Sequence, residues 1–478
     1  MAPQVDRQAA PRTAPHAVVV VGAGQAGVET AAALRARGFQ GRVTLIGGEP
    51  PGPCHRPPLS KGYLTGDVPA ADIALRPAEF FAAQDIDLLA GDRVVSIDRE
   101  RHTVTLDSGL RVPYGALVLA TGCRPRTLPV PGASLDGVST LRGLADAEDL
   151  RRRLDGPPRR LVVVGAGFIG LEVAATARGL GHEVTVVEAQ ARALARALTP
   201  GMADRLVAEH RAQGVRVLLN QEVAALYGDD EGRVQAVELG GGRRIDADLV
   251  VVGVGVLPDT ALATAAELLV GDGVVVDERL RTSDPDVYAV GDCARFPSPH
   301  AAGRHLRLES VQNATDQAKY VAAALCGNGN GDGDGESAPY TAVPWFWSEQ
   351  YALRLQIAGL TADHDETVTV GDRDGGRFSV FCFREERLIG VESVNRPADH
   401  GIARRLLTTG TDLSPDTVRQ PGFDLKNLAR RPAAPASAST SAATTPSASD
   451  ASSSTASNAP THASAPRRNS AERQTVHV

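Results

Sequence analysis

At 478 residues the chain is too long for a single core, and two to four domains are expected. Its 42% hydrophobic content suits a globular body, and a formal net charge of −7 argues against a nucleic-acid partner. No apolar run approaches the roughly 18 residues of a membrane-spanning helix, and Met1 to His16 lacks an apolar signal core, so neither a membrane nor export is expected.

The first ordered element predicted is a buried strand, Ala17 to Val21. It runs into the glycine turn Gly22-Ala23-Gly24-Gln25-Ala26-Gly27. An alanine-rich helix follows from Val28 to Arg37, bracketed at its end by Gly38 and Gly41. Val43 to Ile46 reads as the next strand, with Glu49 just beyond it. Strand, glycine turn, helix, strand and acid together make a dinucleotide-binding unit. The turn lets backbone approach a pyrophosphate, the helix N-terminus faces its charge, and the acid can accept hydrogen bonds from ribose hydroxyls.

Residues 126–145 form a crossing segment, with Pro129 and Pro131 as breakers. The whole pattern then recurs: strand Leu161 to Val164, turn Gly165-Ala166-Gly167-Phe168-Ile169-Gly170, helix Leu171 to Leu180, stop at Gly181, strand Val184 to Val187, and Glu188. One such fingerprint is weak evidence; two with the same flanks argue that a hydride passes between two dinucleotides. Asp248 to Val252 leads as a strand into Gly253-Val254-Gly255, and the chain then returns to the first unit through Gly273 to Val276, Val287 to Val290 and Gly291-Asp292.

Residues 326–339 read as a flexible polar loop. Asn328, Asn330, Asp332 and Asp334 superficially suggest a calcium loop, but its twelfth position is Pro339 rather than glutamate, and no metal is expected. Val343 to about Leu407 reads as a small α+β domain with strands Phe378 to Phe383 and Leu388 to Val394. From Ala433 the composition is Ala/Ser/Thr/Pro with no apolar face, which predicts disorder. The fold class is therefore α/β, with two Rossmann-like domains and a C-terminal α+β domain. The expected boundaries are a disordered 1–15, a first dinucleotide domain over 16–145 and 253–326, a second inserted at 146–252, a flexible 327–339, a C-terminal domain at 340–427 and a disordered 428–478.

Five cysteines (Cys54, Cys123, Cys293, Cys326 and Cys382) contain no close pair. That predicts reduced thiols in the cytoplasm and no redox-active dithiol. Of 50 basic residues only Lys61, Lys319 and Lys426 are lysines.

Between and after the fingerprints come Arg56-Pro57-Pro58-Leu59-Ser60-Lys61, Ala120-Thr121-Gly122, Val290-Gly291-Asp292-Cys293-Ala294, Glu309-Ser310-Val311-Gln312-Asn313-Ala314 and Pro344-Trp345-Phe346-Trp347-Ser348. As an ordered set over residues 16–427, these resemble the oxygenase-coupled NADH–ferredoxin reductases of the putidaredoxin and rubredoxin reductase type. The resemblance implies a glutathione-reductase-like fold with FAD and NADH as cofactors. It further implies hydride transfer from NADH to FAD and release of single electrons to a small acidic iron–sulfur protein, a 2Fe–2S ferredoxin or a rubredoxin.

Carried over by residue, Gly22, Gly24, Ala26 and Gly27 hold the FAD pyrophosphate. Val94, Thr121, Gly122 and Arg142 line the FAD site, Asp292 bonds the ribityl chain, and Val311 lies near the flavin ring. Gly165, Gly167, Ile169, Gly170, Glu188 and Gly255 hold NADH. The family's acid after the second FAD strand falls on Gly48 here, so neighbouring Glu49 is expected to take the ribose contact. Lys61 is the expected stabiliser of charge arriving on the flavin. Glu172, read as lying in the first turn of the NAD helix, is expected to pair with Lys61 when the nicotinamide docks, or else to compensate the helix dipole. Trp347 is the aromatic expected beside the nicotinamide pocket and the electron exit, and at least one of the two tryptophans is expected to pack the core of the C-terminal domain.

Glu188 favours NADH by repelling the extra phosphate of NADPH, whereas Arg192 could approach such a phosphate. Arg396, Arg404 and Arg405 are expected to dock the acidic partner. Two other readings stay open: an NADH oxidase, for which Cys54 would be the thiol, and an NADH-sensing flavoprotein resembling apoptosis-inducing factor.

Overall fold

The computed structural model describes residues 15–50, 52–327 and 338–429. The expectations for the N-terminal segment, for the calcium-like loop positions and for the Ala/Ser/Thr/Pro tail fall outside these described residues, apart from the few at their edges.

The first sheet has strand order Val287–Ala289, Ala116–Leu119, Ala17–Val21, Arg42–Gly47, Ile86–Ala90, and every pairing in it is parallel. Parallel strands are covered on both faces, which is why Ala17–Val21 is apolar at every position and fully buried. The strand Val287–Ala289 is the returning segment expected from sequence. It brings the helix Val311–Leu325 against the helix Gln25–Ala36, where Gln25 donates to Thr315 at 3.1 Å. A hairpin sheet (Val94–Asp98, Thr103–Leu106, Arg111–Pro113) stands beside this layer.

The second sheet repeats the plan with order Arg216–Leu218, Glu183–Val187, Arg160–Val164, Leu249–Val252, Val138–Ser139, again all parallel. Its edge strand Val138–Ser139 comes from the segment read as a crossing. Both nucleotide helices start about one turn earlier than the glycine spacing suggested, at Gln25 and Phe168. In each, the middle glycine is the extended residue before the helix, so the third glycine lies inside the first turn rather than before it.

The C-terminal domain is a five-stranded antiparallel sheet ordered Trp345–Gln350, Leu353–Gly359, Arg387–Val394, Arg377–Arg384, Glu366–Asp372, with the helix Pro397–Thr409 packed on it. Leu353, Leu355, Ile357, Phe378 and Val394 belong to the same buried cluster as the NAD-domain residues Met202, Ala203 and Leu206. The C-terminal sheet is thus packed into the body of the molecule, with its edge strand Trp345–Gln350 against the helix Phe168–Gly179.

Candidate functional site

Each glycine turn divides its labour in the same way. Gly22 has φ +106, and a Cβ there would lie 2.2 Å from the Ala120 carbonyl oxygen. A Cβ on Gly27 would lie 1.8 Å from the Gly22 carbonyl oxygen, while one on Gly24 would meet nothing within 4 Å. In the second turn Gly165 (φ +102) crowds the Gly253 oxygen at 2.5 Å, Gly170 crowds the Gly165 oxygen at 2.2 Å, and Gly167 meets nothing nearer than 4.0 Å. The outer glycines therefore let the chain pack on itself, and the middle ones leave an open approach. Neither helix carries an acid in its first turn, so the positive N-terminal ends remain available to an anion.

The acids lie as follows. One oxygen of Glu188 accepts from the Ala166 N–H at 2.7 Å and the other from the Gln190 N–H at 2.8 Å, which places the carboxylate at the mouth of the second turn. Glu49 is half exposed and paired with Arg56 at 2.9 Å. A Cβ at Gly48 would come 2.5 Å from the Arg93 side chain, so a larger residue there would require that arginine to move. Arg192 donates to the carbonyls of Leu198 (2.7 Å) and Ala195 (2.9 Å), so it is held in its own loop rather than reaching toward a ribose phosphate.

The expected flavin pocket comes together at the end of the strand Val287–Ala289. Asp292, in the turn Gly291–Cys293, accepts from Arg142 at 3.1 Å, and Arg142 also lies beside Gly122. Thr121 donates to the Asp259 carbonyl at 2.6 Å, and Val311 opens the helix capped by Ser310. Gly255 adopts φ +95 between Arg126 and Arg196. Val94 is buried in the adjoining hairpin sheet. The buried Arg142 Nε and Gln317 Nε2 have no hydrogen-bond partner within the protein. Orphaned donors around an open glycine cradle fit a bound dinucleotide that carries acceptor oxygens, and the residues present therefore fit FAD.

A polar cluster ties the first nucleotide unit to the helix that follows the second glycine turn. Lys61 Nζ donates to Glu172 Oε2 at 2.5 Å, and the Ser60 hydroxyl donates to the same oxygen at 2.6 Å. The other oxygen, Oε1, accepts from the Ser348 hydroxyl at 2.6 Å. Glu172 is 3% exposed. Because the helix begins at Phe168, Glu172 lies in its second turn, and the dipole-compensation alternative loses its geometric basis. The Lys61–Glu172 pair is made in the structure, where three donors from two other parts of the chain hold the carboxylate.

Ser348 was missed by the sequence reading, although it closes the motif Pro344-Trp345-Phe346-Trp347-Ser348. The available signal was strand alternation. In Trp345–Gln350, Phe346 and Ser348 share the face toward the NAD helix, and Phe346 packs on Phe168 at a centroid distance of 4.6 Å. Trp347 therefore points to the opposite face, beside Trp345 at 5.6 Å. Trp345 in turn meets His400 (5.5 Å) and carries the Arg404 guanidinium over its ring at 4.6 Å. Both tryptophans remain partly exposed, so neither is a core residue. Of the three docking arginines, Arg404 and Arg405 are exposed. Arg396 departs from expectation: it is bound to buried Asp399 at 2.7 Å and to the Val370 carbonyl, and it braces its helix.

All five cysteines are free, and burial pushes the thiols of Cys54, Cys123, Cys293, Cys326 and Cys382 above their ordinary value. A Cys54 thiol held in its protonated form does not suit the peroxidatic role. Among the described residues no cluster of His, Cys, Asp and Glu could hold a metal, and no helix is long and apolar enough to cross a membrane.

Residues 16–318 match the family model described as pyridine nucleotide-disulphide oxidoreductase, and residues 345–429 match the reductase C-terminal model. The chain is 49% identical to rhodocoxin reductase of Rhodococcus erythropolis, over 86% of this chain and 93% of that protein. It is 41% identical to putidaredoxin reductase of Pseudomonas putida, over 86% of this chain and 96% of that protein. Among solved structures it is similar to the ferredoxin reductase for the CYP199A2 system from Rhodopseudomonas palustris, with TM-score 0.82, 45% identity, and coverage of 87% of this chain and 100% of that one. It is equally similar in fold to the reductase of the covalent putidaredoxin reductase–putidaredoxin complex, with TM-score 0.82, 40% identity, and coverage of 87% and 98%.

Proposed function

The chain belongs to the pyridine nucleotide-disulphide oxidoreductase family, and from that premise we propose that its own activity is FAD-dependent transfer of electrons from NADH to a small iron–sulfur protein of the ferredoxin or rubredoxin kind. When bound, FAD supplies a two-electron acceptor that also releases electrons singly. The observation that carries the reading is the Lys61–Glu172 pair, which ties the first nucleotide unit to the helix that follows the second glycine turn.

Gly22, Gly24, Ala26 and Gly27, with Thr121, Gly122, Arg142, Asp292, Val311 and the hairpin residue Val94, hold FAD; Glu49, half exposed beside Arg56, takes its adenosine ribose. Gly165, Gly167, Ile169, Gly170, Gly255 and Glu188 hold NADH. Lys61 puts an ammonium where negative charge arrives, and Glu172 keeps that ammonium in place. Buried surroundings make such a fixed charge count for more than it would in water. Trp347 and Trp345, with Arg404, present an aromatic and cationic surface for electron exit toward an acidic partner. Unpaired thiols support a cytoplasmic protein, and the lack of a dithiol disfavours disulfide chemistry.

The test is reduction of cytochrome by NADH with and without an added 2Fe–2S ferredoxin. Dependence on the ferredoxin is expected; an equal rate without it favours the NADH-sensing or oxidase readings instead.

A further inference from the structure

Glu172 is the end of a longer buried chain of hydrogen bonds. Ser348 Oγ, which donates to Glu172 Oε1, accepts in turn from Gln350 Nε2 at 3.2 Å. Gln350 Oε1 lies 2.9 Å from His210 Nε2, and the far ring nitrogen, Nδ1, lies 3.4 Å from the Tyr351 hydroxyl. Ser348, Gln350 and His210 are 1%, 2% and 0% exposed. His210 is on the NAD-domain helix Pro200–Ala212, Ser348 and Gln350 are on the edge strand of the C-terminal domain, and Lys61 belongs to the first domain. Three domains therefore meet in one line of polar groups, with no bulk water to substitute for a lost partner.

The direction of that line follows from counting protons. Ser348 has a single hydroxyl hydrogen, and Glu172 as a carboxylate can only accept. If Ser348 donates to Glu172, it must accept from Gln350, so the Gln350 amide is turned with Nε2 toward Ser348 and Oε1 toward His210. Gln350 Oε1 then needs an N–H on His210 Nε2, and His210 Nδ1 is left to accept from Tyr351. Burial lowers the His210 pKa below its ordinary value, which suits a neutral ring with one donor and one acceptor.

We propose that Ser348, Gln350 and His210 are positioning residues for hydride transfer: a one-way donor chain, supplied by the C-terminal and NAD domains, that sets the rotation of the Glu172 carboxylate and through it the place of Lys61. The inference rests on the function proposed above. It gives the C-terminal domain a role at the nucleotide site in addition to the partner surface proposed for it. Lys61 and Ser60 fix one carboxylate oxygen, and among the described residues Ser348 alone fixes the other, so removing its hydroxyl frees the carboxylate to turn.

Two measurements test it, and the first needs neither NADH nor an electron acceptor. In the oxidised holoprotein labelled with ¹⁵N-histidine, and with His210 assigned by loss of its signal in His210→Gln, the ring is expected as the neutral tautomer with the proton on Nε2. That signal should shift in Ser348→Ala and return in Ser348→Thr. A proton on Nδ1, or a signal indifferent to Ser348→Ala, overturns the chain whatever the enzyme's activity.

In the second, anaerobic flavin reduction by NADH is expected to slow about tenfold at saturating NADH in Ser348→Ala, with little change in half-saturation, and to recover in Ser348→Thr. In a Lys61→Ala background the same substitution should add nothing further. Equal losses in the alanine and threonine variants, or full additivity with Lys61→Ala, overturn the positioning role. Gln350→Met breaks the line one step earlier and is expected to reproduce the slowing; a normal rate there also counts against the proposal.

Discussion

Lys61 and Glu172 stand 111 residues apart in the chain and 2.5 Å apart in the fold. Glu172 is buried, and Lys61 keeps a side-chain exposure of 23%, so Lys61 is the more exposed partner of the two. A partly exposed cation tethered to a buried anion is held in one place. That arrangement is suited to meeting charge that arrives from outside.

Replacing Lys61 by alanine is expected to slow anaerobic flavin reduction by roughly a hundredfold while FAD stays bound. Stopped-flow absorbance of the flavin band reads it. An unchanged rate would remove Lys61 from the chemistry.

The two kinds of glycine in the first turn separate stability from binding. Gly27→Ala pushes a methyl into the Gly22 carbonyl and is expected to cost about 1–3 kcal/mol of stability. Gly24→Ala meets open space and, compared in the cofactor-free forms, should unfold at nearly the parent temperature, yet bind FAD poorly because the pyrophosphate can no longer approach the backbone. Equal melting losses in both variants would contradict this division, and so would a fully yellow Gly24→Ala protein.

Glu188→Ala is expected to shift the ratio of NADH to NADPH efficiency toward NADPH by about tenfold, the size of one like-charge contact removed. Both half-saturation values should also rise, because the Ala166 N–H loses its acceptor. The kcat/KM ratio for the two cofactors is the measurement, and a constant ratio refutes the selectivity role.

Glu392 is fully buried on the C-terminal sheet and accepts from the Thr199 N–H (2.9 Å), the Thr199 hydroxyl (2.7 Å) and the Thr361 hydroxyl (2.9 Å). Burial raises its pKa despite those donors. A folded-state value above the unfolded one means that the stability linked to this group is fully present at low pH and is lost as pH rises through the raised value. Thermal melts of the parent and Glu392→Gln should therefore diverge in favour of glutamine as pH rises above about 4.5. Parallel curves would argue that the three donors outweigh the burial.

Arg404→Ala is expected to raise KM for the acidic partner about threefold and to flatten its salt dependence, as one exposed charge does. Arg396→Ala should instead lower the melting temperature, because it takes the cation from buried Asp399 and leaves that carboxylate with the Ser379 hydroxyl. The reverse pattern would move the docking surface away from Trp345.

Short-range features were legible in the sequence. The glycine turns, the valine runs that precede them and the returning strand at Val287 follow from constraints acting over a few residues; the ordered motifs singled out Lys61, and the family resemblance set Glu172 near it. Register was less legible: Gly27 and Gly170 look like turn residues, but a close helix–turn contact puts them inside the helix. Side-chain partnership across domains was not legible. Nothing near position 348 in the chain tells that Ser348 reaches Glu172, whereas the Arg396–Asp399 pair, three residues apart at the start of one helix, is a local signal that was passed over.

The amino-acid order by itself determined two nucleotide cradles and a C-terminal reductase domain, because backbone sterics and the period of burial are written locally. Only the tertiary structure decided that Glu172 is held from three sides and that Trp347 turns away from it, because strand alternation and domain packing, acting over more than a hundred residues, choose which face of Trp345–Gln350 meets the NAD helix.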